Sequence, residues 1–246
     1  MKPNPIPEEI GQTREKVMSI HRLWVSLDQV NPPIWRRLEI ASDCPLDFVA
    51  DAIRSAFGWS FTHAYKFTIK RRDYGTHNDW VRFDPEQEYE ERHRQIKKQK
   101  LGTRKYRQTL DQLSDWMDSL PEPDDNDEDA IPLLGELVRR AGAKFKFVFD
   151  YGDWWVHTVR VEKIEAAAPD KVYPRCVDGA GANPLEDCGG PWTLMAVFEA
   201  VKHPERPRNE AIKHIVKNWV GEGWDFTRFS VDEANQRLLG MFPTKA

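Results

Sequence analysis

Apolar and polar residues alternate along several short stretches of the chain, and a period of two residues predicts β-strands that are buried on one face. The hairpin signal is clearest at 144–164, where Phe145, Phe147 and Phe149 share one face and a Tyr-Gly-Asp turn precedes the returning strand. His157 lies on the apolar face of that returning strand, and His63 extends the apolar face of another. The predicted strands cover 17–27, 34–40, 63–70, 144–150 and 154–164.

Other stretches repeat their apolar positions every three to four residues, as amphipathic helices do. Pro45 precedes the clearest of these, which ends at Gly58, and Ser230 with Glu233 forms a capping-box pattern before the last one. Mixed strands and helices predict an α+β fold: a mixed or antiparallel sheet packed against helices, with a helical C-terminal part. Further helices are predicted at about 86–100, 109–120, 131–142, 191–201 and 207–220, with a long loop at 165–190.

The length of 246 residues suits one large domain or two small ones. We expect a flexible N-terminal arm at 1–16, because three prolines fall within seven residues there. A single domain is expected over 17–240, with a variable excursion at about 71–130. The acidic, proline-broken stretch 121–129 within this excursion has a composition that cannot form a packed core.

Composition narrows the classes of function. A net charge of −4 argues against a generally basic nucleic-acid coat, although a local basic patch stays open. No apolar run is long enough for a membrane span or a signal peptide, so we expect no membrane partner. Three cysteines, an odd number, predict reduced thiols and a cytoplasmic location. Ten tryptophans predict a core or groove that holds several indoles.

Two carboxylates and a histidine surround the hairpin turn. Asp150 and Asp153 flank the turn, and His157 follows four residues after Asp153. A carboxylate near an imidazole can orient it, raise its basicity or share a metal ion with it. Turn aspartates also bond to backbone N–H groups, and a histidine on an apolar face also occurs as a core residue, so both interpretations stay open. His63 joins this group if its strand neighbours that of His157.

The loop at 175–192 combines Cys176 and Cys188 with the acidic pair Glu186 and Asp187 and several glycines. It lacks the C-x₂₋₄-C spacing of a zinc knuckle, but the two acids can supply hard oxygen ligands. The glycines indicate a backbone that needs positive φ, which favours a rigid structural loop. Its carboxylates are the chemically interesting part, and we expect them to face His63 and His157 across a cleft lined by tryptophans.

A basic run lies inside the predicted excursion. It can contact phosphates, although a solvated helix face explains the same pattern. Gly-rich phosphate loops, serine nucleophile elbows and HExxH motifs do not occur in the sequence. The candidate nucleic-acid contacts are Arg94, Lys97, Lys98, Arg104 and Lys105.

Five motifs in order resemble the plasmid pRiA4b ORF-3-like family, whose members are also described as transposon passenger proteins of a TnpR type. The resemblance covers about 17–240 and implies one mixed α+β domain linked to plasmids or other mobile elements. The motifs are PPIWRR at 32–37, Gly58-Trp59 with His63, DYGDWWVH at 150–157, YPRCVDGAGANPLEDCGGPW at 173–192 and DFTRFSVDEANQRL at 225–238.

Two family patterns have matches at the candidate residues. The aspartate-glycine-aspartate turn with its histidine is matched by Asp150, Gly152, Asp153 and His157. The Pro-x-Glu-Asp-x-Gly-Gly run is matched by residues 184–190. The resemblance also implies valine in place of Cys188 in many members, which argues against that thiol as a metal ligand.

Two classes of function remain. The first is a non-enzymatic binding or accessory module associated with a mobile element, whose aromatic groove binds a protein, peptide or nucleic acid. The alternative is a metal-assisted hydrolase or nuclease with a divalent ion as cofactor, because histidines with carboxylates suit an ion with open positions. Its catalytic residues would be His63, Asp153, His157, Glu186 and Asp187.

Overall fold

The structure is a computed structural model that describes residues 18–75, 93–94, 96–97, 103–118, 131–206, 209–221 and 224–241. Within these residues the chain forms one seven-stranded antiparallel sheet in the order β4-β3-β5-β6-β1-β2-β7. The strands are β1 Ser19–Leu27, β2 Trp35–Ala41, β3 Tyr65–Ile69, β4 Arg72–Gly75, β5 Lys144–Phe149, β6 Trp155–Ala166 and β7 Arg175–Ala180.

Helices occupy the connections and the C-terminal part. Helix α5 continues directly into a π-helical turn, Val216–Val220. The helices are α1 Leu46–Phe57, α2 Thr103–Asp118, α3 Leu134–Leu137, α4 Gly190–Lys202, α5 Glu210–Ile215 and α6 Val231–Met241. None of the helices in the described ranges is long and apolar enough to cross a bilayer. The α+β fold class predicted from the sequence is therefore confirmed.

The two faces of the sheet differ in chemistry. One face is apolar, and its inward residues, among them Leu23, Leu38 and Phe147, are fully buried in a core that includes α1, α4 and α6. The other face carries ion pairs, such as Arg37 with Glu162 at 2.7 Å. This division follows from the alternation of side chains along each strand.

The strongest patterns are confirmed and the weaker ones are revised. The hairpin at 144–164 is formed by β5 and β6, and the helix after Pro45 is α1. The predicted helix at 131–142 is wrong beyond one turn, because Val138 is extended and Gly142 has a φ of 79°. The predicted loop at 165–190 contains β7, which pairs with β2, and the predicted excursion contains β4, which pairs with β3.

Several predictions fall wholly or partly outside the described residues. These include the N-terminal arm at 1–16 and the acidic stretch 121–129. The predicted helix at 86–100 is described only at 93–94 and 96–97, which are helical. At the C-terminal end, Ser230 Oγ accepts a hydrogen bond from the Glu233 N–H at 3.2 Å, as the capping pattern before α6 predicts.

Candidate functional site

His63 lies in the short connection between α1 and β3. Helix α1 ends at Gly58, whose φ of 76° turns the chain out of the helix, and His63 follows two residues before β3 begins. The imidazole meets the Phe149 ring edge-on, with 5.7 Å between the ring centroids. The side chain of His63 is 29% exposed, so this core contact holds one part of the ring and solvent reaches another.

Three carboxylates surround the His63 ring. Asp150 Oδ1 lies 3.6 Å from Nδ1 of this ring, and the Asp150 side chain is buried. Glu186 Oε1 and Asp187 Oδ1 lie 3.4 Å and 3.3 Å from Nε2. The sequence prediction that Glu186 and Asp187 face His63 therefore matches their placement, and each ring nitrogen has an acidic neighbour.

Asp150 owes its position to the turn of the hairpin. It follows β5 directly, adopts a φ of 56°, and its N–H donates to the Ala64 carbonyl at 2.9 Å, next to His63. Its Oδ1 accepts the Gly152 N–H at 2.8 Å. Aspartate tolerates this left-handed conformation because its short side chain can bond locally. The turn thus fixes a buried carboxylate beside the imidazole.

Glu186 and Asp187 come from the glycine-containing loop before α4. Glu186 is tied to the connection that carries His63, since its Oε2 accepts the Ser60 N–H at 2.8 Å and its Oε1 accepts the Ser60 hydroxyl. Asp187 has a φ of 58°, and its side chain is 68% exposed. The loop therefore presents one anchored carboxylate and one that faces solvent.

The same loop is docked onto the hairpin turn. Asp153 Oδ2 accepts the Gly189 N–H at 3.1 Å. Gly190 approaches the turn so closely that a Cβ there would lie 2.6 Å from the Asp153 carbonyl oxygen. Asp153 therefore positions the loop before α4, because both of these contacts are to the backbone of that loop.

The spacing of these groups suits a single metal ion. One ligand atom each from His63, Asp150 and Asp187 can be chosen so that all lie within 4.8 Å of one another. Two ligands of one ion can be separated by at most twice the bond length, roughly 4 to 5 Å. Two carboxylates and an imidazole also concentrate negative charge, which favours a cation.

His157 lies in the core and not at this cluster. Strand β5 separates β3 from β6, so the adjacency that would bring His157 to His63 does not occur. The imidazole packs against the rings of Phe57 and Phe147, and its Nδ1 is 3.1 Å from the Trp155 carbonyl oxygen. Burial lowers the pKa of His157 to about 4. The parity of β6 thus indicates a buried histidine, as its apolar neighbours suggest.

The two loop cysteines also belong to the scaffold. Cys176 and Cys188 are buried, and their Sγ atoms contact the backbone oxygens of Asp178 and Gly190 respectively. Burial raises the pKa of both thiols, that of Cys188 to about 12. Within the described residues, neither cysteine belongs to the ligand group at His63.

The basic run is only partly described. Arg94 and Lys97 are exposed on helical residues, and Lys105 is exposed in α2. The backbone of Arg104 belongs to α2, and Lys98 lies outside the described residues. A nucleic-acid contact at this run stays a prediction.

Ser60 and two exposed tryptophans lie in the chain segments that carry the cluster. Trp154 follows Asp153 in the hairpin turn and is 50% exposed, and Trp192 follows the docked Gly190 and is 73% exposed. Ser60 has no signal in the sequence, because its role depends on where Glu186 comes to lie. The sequence does mark the two tryptophans, because indoles next to turn and loop motifs are unusual on a protein surface.

The fold and site define an α+β protein with an open antiparallel sheet and a histidine-carboxylate cluster where a hairpin turn meets a glycine-containing loop. The family described as Plasmid pRiA4b ORF-3-like protein matches residues 19–233, and the chain belongs to this family. Both halves of the cluster lie within the matched residues.

Two proteins illustrate the likeness. The uncharacterized protein y4hQ of Sinorhizobium fredii (strain NBRC 101917 / NGR234) is 25% identical over 193 residues, which is 78% of each chain. The crystal structure of the protein of unknown function MM3350 from Methanosarcina mazei Go1 superposes with a TM-score of 0.56 at 19% identity. That alignment covers 88% of this chain and 97% of the other, and it shows a shared fold.

Proposed function

We propose that this protein binds a divalent metal ion at His63, Asp150 and Asp187. The observation that carries the proposal is the convergence of one ligand atom from each residue within 4.8 Å. The three residues come from three separate segments of the chain, and two of these segments are held together by the contacts of Asp153 with Gly189 and Gly190. Such bracing keeps ligand groups in place before an ion arrives.

The ligand chemistry favours a borderline transition ion. Carboxylate oxygens alone suit Mg²⁺ or Ca²⁺, whereas an added imidazole shifts the preference to Mn²⁺, Fe²⁺, Co²⁺ or Zn²⁺. Three protein ligands leave further coordination positions for water or a bound group. The exposure of Asp187 supports the view that these positions face solvent.

The non-enzymatic class uses this ion to hold a partner. Trp154 and Trp192 are exposed in the two segments that carry Asp150 and Asp187. Exposed indoles supply large contact areas at low entropic cost, and they are enriched where proteins bind partners. We therefore favour a metal-assisted binding module whose ligand, a protein, peptide or nucleic acid, contacts both the ion and the indoles.

A metal-assisted hydrolase is the second candidate, and Glu186 favours it. Its Oε1 lies 3.4 Å from His63 Nε2, yet Glu186 is not needed for the three-ligand group. A carboxylate beside a metal ion can accept the proton of a metal-bound water as that water attacks a phosphoryl or acyl centre. Glu186 and Asp187 would then act with His63, Asp153 would position their loop, and His157 would contribute only to the core.

Titration of metal-free protein with Mn²⁺, Co²⁺ and Zn²⁺ by calorimetry tests the proposal. We expect about one ion per chain, with affinity at least about tenfold weaker in H63Q and in D187N. The matched controls are H214Q and D232N, which change exposed residues of α5 and α6. Equal affinity in wild type and H63Q would refute the site. Hydrolysis of phosphate esters by the loaded wild type, lost in E186Q with metal still bound, separates the catalytic class from the binding class.

A further inference from the structure

Two guanidinium groups meet at the side chain of Asn183, three residues before Glu186 in the glycine-containing loop. Arg36 is completely buried, and its Nη2 donates to Asn183 Oδ1 at 3.1 Å. Arg237, on α6, has Nη2 at 3.5 Å from the same oxygen, and its Nε donates to the Ser55 carbonyl at 2.9 Å. The two positive groups therefore share one neutral acceptor.

Neither guanidinium has a carboxylate within 4.0 Å in the part of the chain that the structure describes. Arg36 donates to the carbonyl oxygens of Trp35, Ala56 and Ala180, and the rings of Phe57 and Phe229 cover its faces. Burial chiefly, together with the charge of Arg237, lowers the pKa of Arg36 to about 9. Buried charges are usually paired, because an isolated one is costly.

A surface depression of about 520 Å³ adjoins these groups. Arg237 and Asn183 form part of its wall, together with Trp224, Phe229 and Ser230. Arg237 has guanidinium hydrogens beyond those used toward Ser55 and Asn183. Ser230 accepts a bond from the Glu233 N–H, which leaves its hydroxyl hydrogen available to donate.

The two acidic residues of the depression have partners of their own, and the charge of Glu233 also acts on Arg237. Glu233 pairs with Arg228 at 2.6 Å, so these two charges offset each other. Asp225 accepts from the N–H and hydroxyl of Thr227, at 2.9 and 2.6 Å. After Arg228 and Glu233 are paired, the two guanidiniums of Arg36 and Arg237 face one remaining carboxylate, that of Asp225. The depression and the buried Arg36 behind it therefore carry a net positive charge.

We propose that this depression binds a small oxyanion, a phosphate or a carboxylate, through Arg237 and Ser230. The charge of Arg36 behind Asn183 adds to the attraction without direct contact. A guanidinium presents paired donors that match both kinds of oxyanion, and the Trp224 and Phe229 rings provide an apolar wall for the group that carries it. The site is separate from the histidine-carboxylate cluster and does not depend on a metal ion.

Calorimetric titration with inorganic phosphate and with acetate, in metal-free buffer of constant ionic strength, tests this site. We expect saturable binding of at least one of the two anions at about one per chain. In R237Q that affinity should fall at least about tenfold, because a charge-assisted hydrogen bond is lost. R160Q is the matched control, since Arg160 is an exposed arginine of β6 that pairs with Glu162 away from the depression, and it should retain affinity within about threefold.

A second measurement covers the case that R237Q does not fold. In wild-type protein, the ¹⁵N resonance of the Arg237 side chain should shift on addition of the anion that binds, and that of Arg160, outside the depression, should shift less. Absence of saturable binding for both anions, or equal affinity of wild type and R237Q, would overturn the proposal. Anion binding by H63Q should equal that of wild type, so this test succeeds or fails independently of the metal site.

Discussion

The buried carboxylate of Asp150 lies 3.6 Å from Nδ1 of His63, while Asp187 approaches Nε2 of the same ring at 3.3 Å. Acidic groups thus face both nitrogens of one imidazole. A carboxylate beside a metal-binding histidine orients the ring and strengthens it as a ligand, whether or not the carboxylate itself contacts the ion.

Asp150→Asn should therefore weaken metal binding about tenfold to one-hundredfold. The amide oxygen can still accept the Gly152 N–H, and asparagine tolerates the φ of 56°, so the turn should persist. Isothermal titration with Mn²⁺ measures the change. Asp153→Asn is the matched control, because the amide oxygen can still accept the Gly189 N–H and keep the loop docked while one negative charge is removed. Its affinity should change by less than about threefold. Equal losses in both variants would show that only the general negative charge matters.

His157 should make stability depend on pH. Its pKa is about 4 in the fold because of burial, and an unfolded histidine titrates near 6.5, so the unfolded state binds more protons between these values. Stability is therefore fully present above about pH 6.5 and falls as the pH drops toward 4, by up to about 3 kcal/mol. Urea unfolding at about pH 7.5 and about pH 5 measures this loss.

His157→Gln should remove most of that pH dependence, whatever its effect on stability at neutral pH. Some dependence should persist, because burial also lowers the pKa of His21. His214→Gln, at an exposed position, should leave the dependence unchanged. An unaltered difference between the two pH values in H157Q would contradict the buried neutral state of this ring.

Gly190 should be intolerant of any side chain. Its φ is 83°, and a Cβ would lie 2.6 Å from the Asp153 backbone oxygen, which cannot move aside without shifting the turn. We expect Gly190→Ala to cost more than about 2 kcal/mol in free energy of unfolding, and to weaken metal binding as the Asp187 segment moves. Gly142→Ala is the control, because φ is 79° there but nothing lies within 4 Å of the added Cβ.

The comparison of the two glycine variants separates conformational strain from the steric conflict. Gly142→Ala should cost only about 1 to 2 kcal/mol, the usual penalty of a left-handed alanine. Denaturant unfolding gives both values. A Gly190→Ala protein as stable as Gly142→Ala would mean that the loop is not docked on the turn as described.

The three thiols should react slowly in the folded protein. Burial raises the pKa of Cys44 and Cys188 to about 12 and also raises that of Cys176, so little thiolate exists near pH 8. An Ellman titration should find less than about one fast-reacting thiol per folded chain, and all three after unfolding in guanidinium chloride. Rapid reaction of two thiols in the native state would contradict their burial.

Local pattern was sufficient for the elements with strong periodicity. The hairpin of β5 and β6 and helix α1 follow from spacing alone, because every apolar position serves one buried face. The pattern does not predict strand β7, because its Val-Asp-Gly-Ala stretch has little β-propensity. This strand gains its conformation from pairing with β2. The single turn of α3 illustrates the reverse case, in which a leucine stripe lies in mostly non-helical backbone.

The candidate site was partly predictable for a related reason. The sequence places His63 by the face parity of its strand and marks Glu186 and Asp187 as the carboxylates of the glycine-containing loop, and the structure brings these side chains together. His157 was grouped with them by parity, but parity tells only that a side chain points inward and not which strand lies beside it. The position of β5 between β3 and β6 is a property of the whole sheet, and it places His157 in the core.

A crystal of the metal-free protein soaked in Mn²⁺ gives the most direct test of the central claim. Anomalous difference density should show one ion bonded to His63 and Asp187, with Asp150 as a ligand or bonded to the ring, at bond lengths of about 2.0 to 2.3 Å. Full occupancy at this position, lost in crystals of H63Q, is the predicted result. Density only elsewhere, or none in a well-ordered crystal, would contradict the account.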